Sequence, residues 1–124
     1  MSENEKIMRR FLAYWSTREG DAMADLFHAD GVYDNVPNKA PMQNREAIRQ
    51  WLKMVFAHLT RIDVEVLHIA SEGEWILSER LDTHVRGDHL MPLPVMNASR
   101  IVDGKIVMFR DYYDRQTVTE LGMG

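Results

Sequence analysis

Tyr33 and Asn35, Arg80 and Asp82, and Asp111 supply a phenol, an amide, a guanidinium and two carboxyls. Side chains alternate across a β-strand, so Tyr33 and Asn35 share one strand face, as do Arg80 and Asp82. Ionised Asp and Arg are costly to bury unless paired. If these faces line a pocket, the pocket activates water and carries its own acid, which argues for an enzyme. The opposing reading is an Arg–Asp pair on a solvated sheet, the usual place for charged residues. Two features weigh against it. Asp111 falls between Phe109 and Tyr113, where a solvated strand face more often carries Lys, Thr or Glu, and the donor-rich Tyr33–Asn35 pair is closed off by Pro37.

These residues need elements to hold them. Ser2-Glu3-Asn4-Glu5 has the form of a capping box ahead of Ile7, Met8, Phe11, Leu12 and Trp15, which form one helical stripe. Gly20 and Asp21 restart the chain as a short helix through about His28. Asp30-Gly31 turns into a short strand over 32–36, stopped by Pro37 and followed by a polar loop. Asn44 caps the clearest helix, where Ile48, Trp51, Leu52, Val55, Phe56 and Leu59 keep the 3.6 period.

The period then changes to two. Ile62, Val64 and Val66 alternate with Asp63 and Glu65, Ser71 to Glu74 form a turn, and a strand runs from Trp75 to Val85. Pro92 and Pro94 limit pairing before a strand over 95–102. Asp103-Gly104 is a hairpin signal, and 105–114 returns antiparallel, with a register bulge near Asn97 deciding whether Val95 or Met96 faces inward. This order predicts an α+β fold in a single domain over residues 1–124. A curved, mainly antiparallel, mixed sheet wraps around the helices as a cone with a deep pocket.

Bulk properties exclude several classes. A net charge of −4 with no basic run argues against nucleic acid or an anionic membrane as main partner. The absence of cysteine removes disulfides, thiolate metal sites and cysteine nucleophiles. His28, His58, His68, His84 and His89 show no ligand spacing, so neither a metal nor another cofactor is expected. The polar start and the lack of a bilayer-length apolar run lead us to expect a cytoplasmic protein. Nine Met and three Trp suit an adaptable apolar pocket. His84 shares its parity with Asp82 but reads as a solvated histidine near a strand end. Arg110 reads as outward-facing, and Asp34 and Asp114 as surface or turn carboxylates.

Three stretches carry a family resemblance: Tyr-x-Asn-x-Pro (Tyr33, Asn35, Pro37), Glu-Arg-Leu-Asp (Glu79 to Asp82), and Asp-Gly-Lys-Ile followed by Arg-Asp-Tyr-Tyr-Asp (Asp103 to Ile106, Arg110 to Asp114). From about Leu12 onward the chain resembles limonene epoxide hydrolase and its relatives. They belong to a cone-shaped, cystatin-like superfamily that also holds ketosteroid isomerases, SnoaL-like cyclases and nuclear transport factor-like proteins. The hairpin is the less specific part; the Tyr-x-Asn, Arg-x-Asp and Asp combination is the more specific. Relative to that family the chain lacks an N-terminal extension, which would leave the cavity rim more open.

The resemblance implies roles. Asp111 is the general base, holding one water together with Tyr33 and Asn35. Asp82, protonated, is the general acid at the epoxide oxygen, and Arg80 bridges both carboxyls. Two nearby acids resist double ionisation and share a proton. It also implies a substrate wall of Leu12, Trp15, Val55, Leu59, Leu93, Val95, Phe109 and Tyr113, with Met54 and Met96 as lesser candidates. The implied partners are a small apolar epoxide, cyclic or terpenoid, water, and a second copy of the chain in a homodimer. Two other readings stay open: an isomerase using Asp111 or Asp82 as base and Tyr33 in an oxyanion hole, and a non-catalytic ligand-binding or dimerisation module.

Overall fold

A computed structural model describes residues 1–123. Helix α1 spans Glu3–Thr17 and opens with the Ser2 side chain accepting from the Glu5 amide. It buries Met8, Phe11, Leu12 and Trp15. The chain turns at Arg18, which is in the left-handed region, and the Arg18 guanidinium donates to the carbonyls of Phe56, Leu59 and Thr60. That side chain therefore satisfies carbonyls at the end of the long helix, which would otherwise lack partners.

Helix α2 (Gly20–Asp25) is shorter than expected, because strand β1 begins at Phe27 and runs to Asn35. His28 is thus in a strand. The Asp30-Gly31 pair is a register irregularity inside β1, where a Cβ on Gly31 would stand 2.8 Å from the Ile106 carbonyl oxygen. Only a glycine lets the two backbones pass so closely. Val36 leaves the strand for a 3₁₀ turn, Val36–Asn38.

Helix α3 (Arg45–His58) starts where Asn44 accepts from the Ala47 amide at 2.8 Å. Its apolar side divides in two. Ile48, Leu52 and Phe56 enter the core, while Trp51, Val55 and Leu59, three residues further round the helix in each case, stay half-exposed. Strands β2 (Arg61–Glu72), β3 (Trp75–Arg86), β4 (His89–Val102) and β5 (Lys105–Tyr112) form the antiparallel meander, and helix α4 (Arg115–Glu120) follows. The expected turn over 71–74 is narrower, since β2 continues through Glu72. The Asp103-Gly104 hairpin is present, with both residues at positive φ. Helix α4 was not foreseen; the Asp114 side chain caps it by accepting from the Gln116 amide.

The sheet order is β1-β5-β4-β3-β2. All neighbours are antiparallel except β1 and β5, which run parallel. The prolines do not interrupt β4. Pro92 and Pro94 pair with Thr83 and Leu81 of β3, and β5 pairs with β4 only from Met96 on. They sit where β4 has a partner on one side alone, a position that tolerates the missing N–H. Asn97 is in regular register; the irregularities lie between Arg100 and Ile101 and between Val66 and His68. Val95 consequently faces inward and Met96 outward. The helices pack on the concave side of this curved α+β sheet, and no helix among the described residues is long and apolar enough to cross a membrane.

Candidate active site

Strand pairing assembles the polar residues into rows across the concave face. Asn35 stands beside Asp111, Asp111 beside Asn97, and Asn97 beside Ser78, one residue from each of four strands. The next row is Tyr33, Phe109, Ser99 and Ile76. The parallel β1–β5 contact therefore brings the Tyr33–Asn35 pair to Asp111.

Arg80 and Asp82 lie two and four pairs along β3 from Ser78, on the same face. The Arg80 guanidinium donates from Nε to Asp82 Oδ1 at 3.0 Å and from Nη2 to Asp82 Oδ2 at 2.8 Å. Nη2 also lies 3.1 Å from Asp111 Oδ1. All three side chains are more than nine-tenths buried, and the guanidinium stands 5.7 Å from the centre of the Phe109 ring. Arg80 Nη1 and the Ser78 hydroxyl are buried without a hydrogen-bond partner among the described residues.

Sequence reasoning missed Asn97 and Ser99. The Asn97 amide donates to Asp111 Oδ1 at 2.7 Å, and the Ser99 hydroxyl donates to Asn97 Oδ1 at 2.5 Å. Asp111 Oδ1 thus takes two donors, which turns the other carboxylate oxygen toward the remaining surroundings. The available signal was parity: Val95, Asn97 and Ser99 share one face of β4, and two polar groups there on a buried strand need partners.

A cavity of about 370 Å³ opens in front of this cluster, with Asp82, Asp111, Tyr33 and Asn35 in its wall. Arg80 is not in the wall; it clamps the two carboxyls from behind. Of the expected apolar wall, Trp15, Val55, Leu59, Leu93, Val95 and Tyr113 line the cavity, and Leu12 and Phe109 do not. Both are core residues, and Phe109 packs its ring against Tyr33 at 4.7 Å and Phe11 at 4.9 Å. Of the lesser candidates, Met54 and Met96 are exposed.

His84 corrects another expectation. It is half-buried in the cavity wall, its Nδ1 is 3.2 Å from the Asp82 carbonyl oxygen, and burial lowers its pKa. Helix α4 contributes Val118 and Thr119 to the rim. Arg110 Nε lies 4.0 Å from Asp34 on the far side of the strand from Asp111.

Burial dominates the electrostatics. It pushes the Asp111 carboxyl above its ordinary range; Arg80 and the Asn97 N–H pull it down, and Asp82 pushes it up. Burial likewise holds the Tyr33 phenol well above its ordinary value, with Asp111 adding to the effect, so Tyr33 is a neutral donor. Burial works against the charge of Arg80, but Asp111 and Asp82 outweigh it and raise its pKa. The arrangement is one buried guanidinium holding two carboxyls, with Tyr33 as a neutral donor and Arg115 of α4 also in the cavity wall. Among the described residues no group of three or more His, Cys, Asp or Glu side chains has the grouping to hold a metal ion.

The fold recurs in other proteins. The chain is similar to an LEH-like epoxide hydrolase of M. tuberculosis at 22% identity, covering 96% of this chain and 88% of that one with a TM-score of 0.86. It is similar to a protein of Catenulispora acidiphila with a ketosteroid isomerase-like fold, solved with trimethylamine, at 23% identity over 93% and 90% of the two chains and a TM-score of 0.83. A Shewanella putrefaciens protein named for SnoaL-like polyketide cyclases matches all of this chain and 88% of its own at 11% identity and a TM-score of 0.87. At these identities the likeness is one of fold. The SnoaL-like domain pattern itself matches residues 8–109, most of the length, and the chain therefore belongs to the SnoaL-like family.

Proposed function

We propose that the protein is an epoxide hydrolase of the limonene-1,2-epoxide hydrolase type, adding water directly to a small apolar epoxide to give a vicinal trans-diol. The observation that carries this reading is the single guanidinium contacting both Asp82 and Asp111 behind a cavity that also presents Tyr33 and Asn35. Asp111, ionised, takes a proton from a water held by Tyr33 and Asn35. The water oxygen bonds to one epoxide carbon as the opposite C–O bond breaks. Asp82, protonated, gives its proton to the leaving oxygen. The proton gained by Asp111 returns through the shared dyad, so the site resets without an ester to the enzyme. The fold it shares with a protein titled LEH-like epoxide hydrolase supports the reading.

Each positioned acid or base contributes on the order of 10² to 10⁴ in rate. Strain in the three-membered ring supplies much of the remaining drive. The Arg80 bridge lets Asp111 be anionic beside a second acid, and Asn97 favours that anion over a protonated Asp111.

The test is a panel of cyclic epoxides in ¹⁸O water under single turnover. Label in the diol at the first turnover is expected. An unlabelled first-turnover diol would mean that an enzyme carboxylate attacked, and no diol across the panel would move the protein to the isomerase or ligand-binding readings.

The outer face of the sheet supports a homodimer. Leu77 pairs with Ala98 and Met96 with Tyr112, and Leu77, Met96 and Tyr112 are exposed. Glu79 beside Met96 and Arg110 beside Ala98 interrupt this face, and exposed large apolar side chains gathered on one sheet face are often covered by a partner. Sedimentation velocity should show a dimer that Leu77→Lys with Met96→Lys converts to monomer; a wild-type monomer would remove the proposal.

A further inference from the structure

The concave face of β3 and β4 continues beyond the two acids toward the mouth. Asp82 pairs with Leu93, His84 with Met91 and Arg86 with His89, a ladder of same-face residues leading outward. A second lobe of about 370 Å³ opens there and shares Trp51, Val55, Leu59, His84 and Met123 with the first. Met54, Met91, His58 and Arg86 complete much of its wall. Met91 is fully buried beneath it, and thioethers adapt to flexible apolar ligands.

The charge of this lobe is one-sided. No Asp or Glu lines it, although the whole chain carries a net −4. Burial keeps His84 neutral, so the permanent charge in the wall is the Arg86 guanidinium. Arg86 donates to the Gly122 carbonyl at 3.4 Å, and among the described residues it takes part in none of the ion pairs.

We infer that the second lobe holds the far end of the substrate, an apolar chain ending in a carboxylate, with the epoxide at Asp82 and Asp111 and the anion at Arg86. The inference rests on the epoxide reading of the first lobe and narrows its substrate class. Arg86 lies four steps along the strand from Asp82, roughly 13 Å, which corresponds to a chain of about ten carbons. A small cyclic epoxide occupies the first lobe alone. A guanidinium facing a carboxylate across an apolar wall is a strong, directional partner.

Decanoate and decanol, which carry no epoxide, are the probes. Calorimetric titration of the full chain should show decanoate binding about tenfold tighter than decanol, with the ratio shrinking in high salt, as expected for a partly exposed charge pair. Arg86→Gln should bring the ratio to about one. Met54→Glu, at an exposed wall position, should lower it without touching the core. Equal binding of the two probes by the wild type, or an unchanged ratio in both variants, would overturn the inference. With a ten-carbon epoxy acid and its methyl ester, the kcat/KM preference for the acid should fall in Arg86→Gln. Because the binding probes need no chemistry, failure to open any epoxide would sink the hydrolase reading and leave the carboxylate lobe standing. Hydrolysis without probe discrimination would do the reverse.

Discussion

Two arginines of this chain each gather carboxylates, and they behave oppositely. Arg49 meets Asp21 at 3.0 Å, Asp25 at 2.7 Å and Glu46 at 3.3 Å, all on exposed side chains. Arg80 meets Asp82 at 2.8 Å and Asp111 at 3.1 Å in the buried face of the sheet. The contact distances are nearly the same. At the surface, the Arg49 hydrogen bond lowers the Asp25 pKa. In the interior, burial outweighs the Arg80 charge and raises that of Asp111. The comparison teaches that the partner sets the attraction while the solvent sets the proton. Of the two, the interior cluster is the one in which burial raises a carboxyl pKa.

The sharpest way to break the comparison is to remove one carboxylate from each cluster. Asp111→Asn and Asp82→Asn should each lower epoxide opening by about 10² to 10⁴ with the circular dichroism spectrum unchanged. Asp25→Asn should leave turnover as it is. Retention of most activity in either interior variant would refute the assigned roles.

Stability should separate the clusters next. Arg80→Met leaves two carboxyls buried without their cation and should cost about 3–5 kcal/mol in urea unfolding. Arg49→Met, whose partners reach water, should shift the midpoint far less. The pH dependence carries opposite signs. Asp111 holds its proton more tightly when folded, so its contribution to stability is full at low pH and is lost as pH rises through its raised value. Asp25, held below 3.8 by Arg49, contributes above that value and loses its share as pH falls. Unfolding each Asn variant against wild type across about pH 3 to 8 reads both slopes; slopes of the same sign would contradict the contrast.

A subtler probe is Asn97→Leu, which removes a neutral donor and no charge. A hydrogen bond to a charged group is worth about 1.5–3 kcal/mol, so kcat/KM near neutral pH should drop roughly ten- to a hundredfold. The acid limb of the pH profile should move to higher pH, because the Asp111 anion has lost a partner. Ser99→Ala should move it the same way by less. A loss of rate with an unmoved limb would make Asn97 a packing residue. The smallest effect is expected for Tyr33→Phe, about tenfold or less, since Asn35 and Asp111 still hold the water.

Local signals made some elements readable. Ser2 and Asn44 cap the two long helices as their spacing implied, and the Asp103-Gly104 pair turns its hairpin. The five polar site residues were also legible, because their types and two-residue spacing are chemistry written along single strands. Asn97 and Ser99 were not, since each looks ordinary until β5 places Asp111 beside it. The family resemblance set Leu12 and Phe109 on the cavity wall, and the sequence could not correct it, because an apolar residue facing a pocket and one facing the core have the same pattern in one dimension. Pro92 and Pro94 were read as limiting pairing, and only the length of β5 shows why they are tolerated.

What the chain alone determined is therefore local: most of the helices and strands, though not helix α4 or the start of β1, which residues share a face, and which chemical groups are present. The tertiary structure decided which faces turn inward, that β1 lies parallel to β5, and that positions 80 and 111 meet on one guanidinium. Periodicity and capping act over a few residues and leave their mark in the chain order. Strand neighbours and burial are settled by contacts across the whole molecule, and those contacts bring the two carboxyls together on Arg80.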